Sequence, residues 1–294
     1  MQNATDPEAT ICSSNPLSTY HFISRLISGL VGVSGNILLL FGLIYDPLKC
    51  FKNSSSQLVL NLCISDITAC LELILVLFWS ATCINGVNVY IFFHLPAYVS
   101  FSSIATMAFD RFMSSVYPLK YKIIITRKFT LRLILLQWTF QICSVTVEFF
   151  FEKWFLYPKL LVGIGVISSA IVFYGKAGHT LKRQSRILKR MSGCSLSVNH
   201  FNVVRVTNEK RFLNTLLIVS LMTVFTSKPL ILYELCVSRQ RYYENERLPS
   251  TERDDTHMWL FTLYFVNFWI NPFLYSWRLT KYRRTFLVIL KKIL

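Results

Sequence analysis

Ala108-Phe109-Asp110-Arg111-Phe112-Met113-Ser114-Ser115-Val116-Tyr117-Pro118-Leu119-Lys120-Tyr121 is the stretch on which the reading of this chain turns. An apolar run that begins near Val87 stops here at an adjacent acid and base. Charge is costly at the centre of a bilayer and cheap at its edge, so Asp110 and Arg111 mark where a helix leaves the membrane. Lys120 and Lys122 follow just outside.

Composition agrees with that reading. The 294 residues are 53% hydrophobic and 16% charged, with a mean hydropathy of +0.45, which is more apolar sequence than a soluble core requires. A formal charge of +16 would suit nucleic acid, but the basic residues sit in short connections between long apolar spans. That pattern sets orientation and implies no nucleic-acid partner. The eight cysteines show no paired metal-ligand spacing, which argues against zinc. Residues 1–20 are polar and lack the basic and short apolar regions of a removable signal peptide, so the first span is expected to serve as its own targeting signal.

Seven apolar segments follow, near 21–45, 55–81, 87–113, 129–151, 155–180, 211–237 and 257–277, each long enough to cross about 30 Å as a helix. The fold class is therefore all-α: a seven-transmembrane helix bundle over residues 21–277. Beyond it, residues 278–294 mix Leu279, Tyr282, Phe286, Leu287 and Leu290 with Arg283, Arg284, Lys291 and Lys292 at helical spacing. This suits a short amphipathic helix on the membrane surface, in contact with membrane lipids. Most of the 31 Lys and Arg fall in the first, third and fifth connections and the tail, which makes that side cytoplasmic and the N-terminus extracellular. Asn3, in Asn3-Ala4-Thr5, is then a glycosylation candidate, whereas Asn53-Ser54-Ser55 faces the cytoplasm.

Each span carries a polar signature. Gly35-Asn36 lies in the first, Asn61-Leu62-Cys63-Ile64-Ser65-Asp66 in the second, Asp110-Arg111-Phe112 at the end of the third, Trp138 in the fourth and Asn271-Pro272-Phe273-Leu274-Tyr275 in the seventh. One such residue alone would be an ordinary interhelical hydrogen bond or kink. In this order and spacing the chain resembles the rhodopsin-like G-protein-coupled receptors over nearly its whole length. The resemblance implies a receptor that carries an extracellular signal from the plasma membrane to a heterotrimeric G protein, with arrestin a further partner.

It also implies roles. Arg111 would rest on an acid of the sixth helix, and Glu209 lies twenty residues before Pro229, the proline matched to that helix's kink. A solvated Glu209 among Lys210 and Arg211 is the plainer alternative. Asp110, Tyr174, Asn271, Pro272 and Tyr275 would complete the activation switch, with Tyr174 and Tyr275 lining a crevice that opens when the helix swings out. An ionisable group at mid-membrane needs a partner, and Asp66 is such a group. By the family's geometry Asn36, Ser100, Asn267 and Asn271 converge on it, a hard-oxygen set suited to sodium as an allosteric cofactor. A protonated Asp66 bonded to Asn36 and Asn271 is the alternative.

Several family features are missing. Ser227 stands where a Trp usually precedes Pro229, no proline interrupts the fifth span, and the segment around Glu152 to Pro158 is too short for a lid. Gly86 stands where the usual disulfide cysteine is expected, with Cys83 three residues earlier, so a pairing of Cys12 or Cys83 with Cys236 is expected on the oxidising side. These absences resemble the melanocortin, cannabinoid and lysophospholipid receptors, and the stretch from Asn271 to Arg278 is similar to these and to adenosine receptors. Glu72, Tyr90, Phe93, His94, Lys228, Tyr233, Glu234 and His257 are the candidate ligand contacts in the extracellular half. Phe93 occupies the place of the amine receptors' aspartate, which points to a peptide or lipid-like ligand over a monoamine. Lys228 can instead snorkel outward.

No nucleophile with a base, Gly-rich phosphate loop or HExxH pair supports an enzyme. A transporter or channel subunit would use Asp66, Glu72 and Lys228 as pathway residues, but an odd span count and no internal repeat count against it. Within the receptor reading, the missing Trp leaves a constitutively active or uncoupled protein as a further alternative.

Overall fold

In the computed structural model, residues 19–47, 51, 53–82, 90–150, 152–190, 196–244 and 255–293 are described, and they are helical almost throughout. The helices are α1 (Thr19–Tyr45), α2 (Ser54–Thr82), α3 (Tyr90–Val116), α4 (Pro118–Ile124), α5 (Arg127–Phe150), α6 (Glu152–Arg190), α7 (Leu196–Glu244), α8 (Asp255–Arg278) and α9 (Thr280–Ile293). A helix satisfies its own backbone hydrogen bonds, which is what a lipid-embedded segment must do. Five of them, α1, α2, α5, α6 and α7, contain stretches long and apolar enough to cross a membrane by length and composition. Helices α3 and α8, of 27 and 24 residues, are diluted by Ser100, Ser103, Asp110, Asn267 and Asn271, all of which are buried inside the bundle.

Helix α3 is central and packs on α2, α5, α6 and α7, while α1 packs on α2 and α8. The larger core, with Leu39, Leu62, Met107, Tyr174, Leu216 and Tyr275, fills the half of the bundle that ends at Arg111. A smaller one, with Cys70, Leu73, Ala97, Phe265 and Phe268, fills the other half. The outward faces of α5 and α6 expose Leu135, Leu136, Leu161 and Ile171, an arrangement suited to lipid and not to water. Close approach of α1 depends on two glycines. A Cβ on Gly32 would collide with Cys70 Sγ and come within 3.2 Å of Trp269 Cβ, and one on Gly35 would lie 3.1 Å from Pro272 Cγ.

The helices depart from the apolar spans at the Arg111 end. Helix α6 runs on to Arg190 and α7 begins at Leu196, well outside the spans 155–180 and 211–237. Hydropathy locates the lipid boundary, whereas a helix continues into water as long as its ladder and propensity hold. The connection after α3 holds α4, started by Pro118 at a first-turn position where no N–H is needed. Helix α9 is amphipathic as expected: Leu279, just before it, and Tyr282 and Ile289 are buried, while Arg283 and Arg284 are exposed. Cys236 is exposed and free, so the expected disulfide to it is not formed. Cys12, Cys83 and Asn3 lie outside the described residues.

Candidate functional site

Among the described residues, the Arg111 end holds the densest cluster of paired charges. Arg111 is 6% exposed and its Nη1 donates to Glu209 Oε2 at 2.8 Å, joining α3 to α7. Its Nε donates to Asp110 Oδ2 at 3.0 Å, and Nη2 reaches both Asp110 Oδ2 and Ser55 Oγ. The guanidinium lies over the Phe212 ring, 4.7 Å from its centroid. Ser55 Oγ, on α2, donates to Asp110 Oδ2 at 2.9 Å, and the Tyr121 hydroxyl, on α4, donates to Asp110 Oδ1 at 2.9 Å. Burial and the neighbouring Asp110 carboxylate push the Tyr121 phenol up to about 12, so it stays a donor at neutral pH. Four helices thus meet on one buried ion pair whose donors and acceptors are matched.

Sequence reasoning brought Asp110, Arg111 and Glu209 to this place and missed Ser55, Tyr121 and Phe212. Ser55 is one of three consecutive serines, and nothing in that run says which hydroxyl turns toward α3. Tyr174 and Tyr275 do not line an opening here. The Tyr174 hydroxyl lies 3.5 Å from Ile104 O and from Ser220 Oγ, and Tyr275 is fully buried, stacked on Tyr282 at 5.8 Å and 4.0 Å from Met107 Sδ. Pro272, inside α8, packs against Gly35.

Asp66 is fully buried midway along α2. Its Oδ1 accepts from Ser100 Oγ at 2.9 Å and its Oδ2 from Asn271 Nδ2 at 2.7 Å. The other two expected partners are engaged elsewhere. Asn36 Nδ2 donates to the carbonyls of Gly32 and Phe268, and Asn267 Oδ1 accepts from Thr223 Oγ1 at 2.6 Å. These bonds tie α1 and α7 to α8 and leave Ser100 and Asn271 to hold the carboxylate. Asn61 bonds Ser103 and Trp138, bracing α2 against α3 and α5.

At the opposite end, Tyr233 and His257 approach with ring centroids 5.7 Å apart, and His257 stacks on Phe261. Glu72 is half-buried with Oε2 shielded from solvent, and Lys228 is exposed. The side chains of Tyr90, Phe93, His94 and Glu234 lie outside those described. Two residues here were not anticipated. Arg25 of α1 is buried, donates to Met258 O and Sδ, and lies over Phe261 at 4.6 Å. His21 packs on Trp259 and sits 3.8 Å from Asp255.

The model of the 7 transmembrane receptor (rhodopsin family) matches residues 35–275, which span Gly35 to Tyr275 and with them the polar signatures of the spans. The chain belongs to that family. Squid rhodopsin, as a crystal structure, superposes with a TM-score of 0.77 at 13% identity, covering 99% of this chain and 88% of the other. At that identity the likeness speaks for the shared fold. No curated protein matches the sequence. This rhodopsin-family chain is a multi-pass membrane protein and a receptor, not an enzyme, and its family implies G-protein and ligand partners in general.

Proposed function

We propose that this receptor sits in the plasma membrane with its N-terminus outside, glycosylated at Asn3, and couples an extracellular ligand to a heterotrimeric G protein, with arrestin as a second cytoplasmic partner. The observation that carries the reading is the 2.8 Å bond between Arg111 and Glu209. It holds α7 against α3 at the end where a cytoplasmic protein would enter. The crevice there, lined by Ser55, Arg111, Glu209, Phe212, Lys281 and Tyr282 among others, has a volume of about 100 Å³. That admits a few waters, whereas an inserted helix with its side chains is about 10 Å across. Signalling therefore requires α7 to move out and release Arg111, a two-state change that a ligand drives by binding the open arrangement better.

The ligand falls at the His257 end, where Tyr233, His257 and Glu72 supply aromatic and polar contacts for a peptide or lipid-like molecule. Sodium at Asp66 stabilises the closed arrangement. The donor set fits an ion: a buried carboxylate, the Ser100 hydroxyl, and the amide oxygens Asn36 Oδ1 and Asn271 Oδ1, both buried without a donor. Asn267 is the weaker member, since its oxygen is already bonded to Thr223.

Glu209→Ala tests the reading. The variant should raise basal loading of a GTP analogue in membranes several-fold at equal surface expression, because a charge pair whose acid is about a third exposed is worth roughly 1 kcal/mol. Unchanged basal loading would leave Glu209 a solvated residue of α7.

A further inference from the structure

A second cavity lies on the outside of the bundle, between α3 and α6, and the switch does not use it. It measures about 300 Å³ and is lined by Phe112, Val116, Tyr117, Gly175, Lys176, His179 and Thr180. Its floor is apolar: Phe112 meets Tyr117 edge-on at 5.8 Å and Phe173 at 5.3 Å. The rim is cationic and hydrogen-bonding. Lys176, His179 and Tyr117 are exposed, and Lys176 Nζ lies 5.9 Å from the Phe112 ring centroid. Arg183, two turns beyond Lys176, continues the same exposed stripe. No acid lines the cavity. A Cβ on Gly175 would meet nothing within 4 Å, so a larger side chain has open space at the cavity wall.

We propose that this cavity seats the headgroup and glycerol of an anionic phospholipid from the leaflet around the Arg111 end. Position and chemistry both argue for it. The cavity sits where the apolar span of α6 gives way to Lys176, Lys182 and Arg183, the depth at which phosphates lie. A free phosphate would meet the lysine and leave the Phe112 and Val116 floor unused, whereas a lipid meets both. The occupant also has a route to the switch. Tyr117 stands one turn before Tyr121, whose N–H donates to Tyr117 O at 2.8 Å and whose hydroxyl holds Asp110.

The proposal rests on the membrane reading and not on the signalling one, and its readout is bound lipid, so each can fail alone. The purified full chain is taken from nanodiscs of phosphatidylcholine doped with phosphatidylserine, and retained lipid is counted by native mass spectrometry. Lys176→Gln should lower phosphatidylserine retention about fivefold, the worth of one cation near an anionic surface, and His179→Gln added to it should lower it further. Gly175→Trp should lower it as much with no change of charge, by filling the cavity. Lys291→Gln on α9 removes the same charge elsewhere and should change retention less than twofold. Thermal melting of each variant reports whether the fold is intact. Equal losses from Lys176→Gln and Lys291→Gln, or full retention in Gly175→Trp, would reduce the effect to diffuse surface attraction and overturn the site.

Discussion

Tyr121 holds Asp110: the phenol of a residue in the short helix α4 donates at 2.9 Å to one oxygen of the carboxylate whose other oxygen accepts from Arg111. Arg111 is therefore braced, through Asp110, by a residue outside the two helices that its bond to Glu209 joins. Asp110 without this donor is freer to follow Arg111 away from Glu209. Tyr121→Phe removes one hydroxyl and keeps the ring, so basal GTP-analogue loading should rise by less than in Glu209→Ala. The double variant should exceed Glu209→Ala only slightly, because both act on one network. Additive increases would mean that Tyr121 acts elsewhere.

Gly32 sets the distance between α1 and α2. Its missing side chain leaves room for Cys70 Sγ, which a Cβ would strike. Gly32→Ala should cost about 1–3 kcal/mol as an overpacked contact. The melting temperature of the purified chain should fall accordingly. Cys70→Ala removes the struck atom and should recover most of the loss in the double variant, since the nearest remaining atoms are then Trp269 Cβ at 3.2 Å and Cys70 Cβ at 3.3 Å. No recovery would place the strain on Trp269 instead.

The parts of this molecule that were legible beforehand are those in which lipid imposes a pattern. Apolar length marks the spans, and an acid next to a base marks the exit of α3, because charge position in a bilayer is an energetic matter. The pairing of Arg111 with Glu209 was legible only through the family resemblance, which matched Pro229 to the sixth-helix kink and left a solvated Glu209 as the alternative. Residues such as Ser55 and Tyr121 were not, since a polar residue at the edge of an apolar span or beyond it carries no periodic signal of which way it faces. Asn267 shows a different limit. Its type and place suited Asp66, but the Thr223 hydroxyl competes for the same amide at 2.6 Å, and that competition exists only once α7 and α8 are packed. Arg25 stands alone in an apolar span and belongs to no motif, and its burial against the Phe261 ring and the Met258 carbonyl exists only once α1 and α8 are packed.

The Thr223 bond gives its own test. Thr223→Val keeps the shape and leaves a buried Asn267 oxygen without its donor, which costs about 1–3 kcal/mol. Thr226→Val is the control, since among the described residues the Thr226 hydroxyl bonds to Met222 O and Thr223 O on its own helix. The first variant should melt well below the wild type and the second close to it. Equal melting would make the α7–α8 bond energetically idle.

Sodium supplies the last expectation. A carboxylate as deeply buried as Asp66 loses its hydration and, among the described residues, is held by two side-chain donors, Ser100 and Asn271. A monovalent cation drawing on the undonated Asn36 and Asn271 oxygens would offset that loss. If it binds the closed arrangement, replacing a large organic cation with sodium at constant ionic strength should raise the melting temperature. Sodium at ten times its dissociation constant would add about 1.4 kcal/mol. Basal GTP-analogue loading should fall in the same titration, and any agonist must weaken sodium binding by the factor by which sodium weakens the agonist. Asp66→Asn preserves the shape and removes the charge, so both sodium effects should vanish in it. A wild type that melts at the same temperature in both salts would mean that Asp66 is protonated and serves only to pin α3 and α8 to α2.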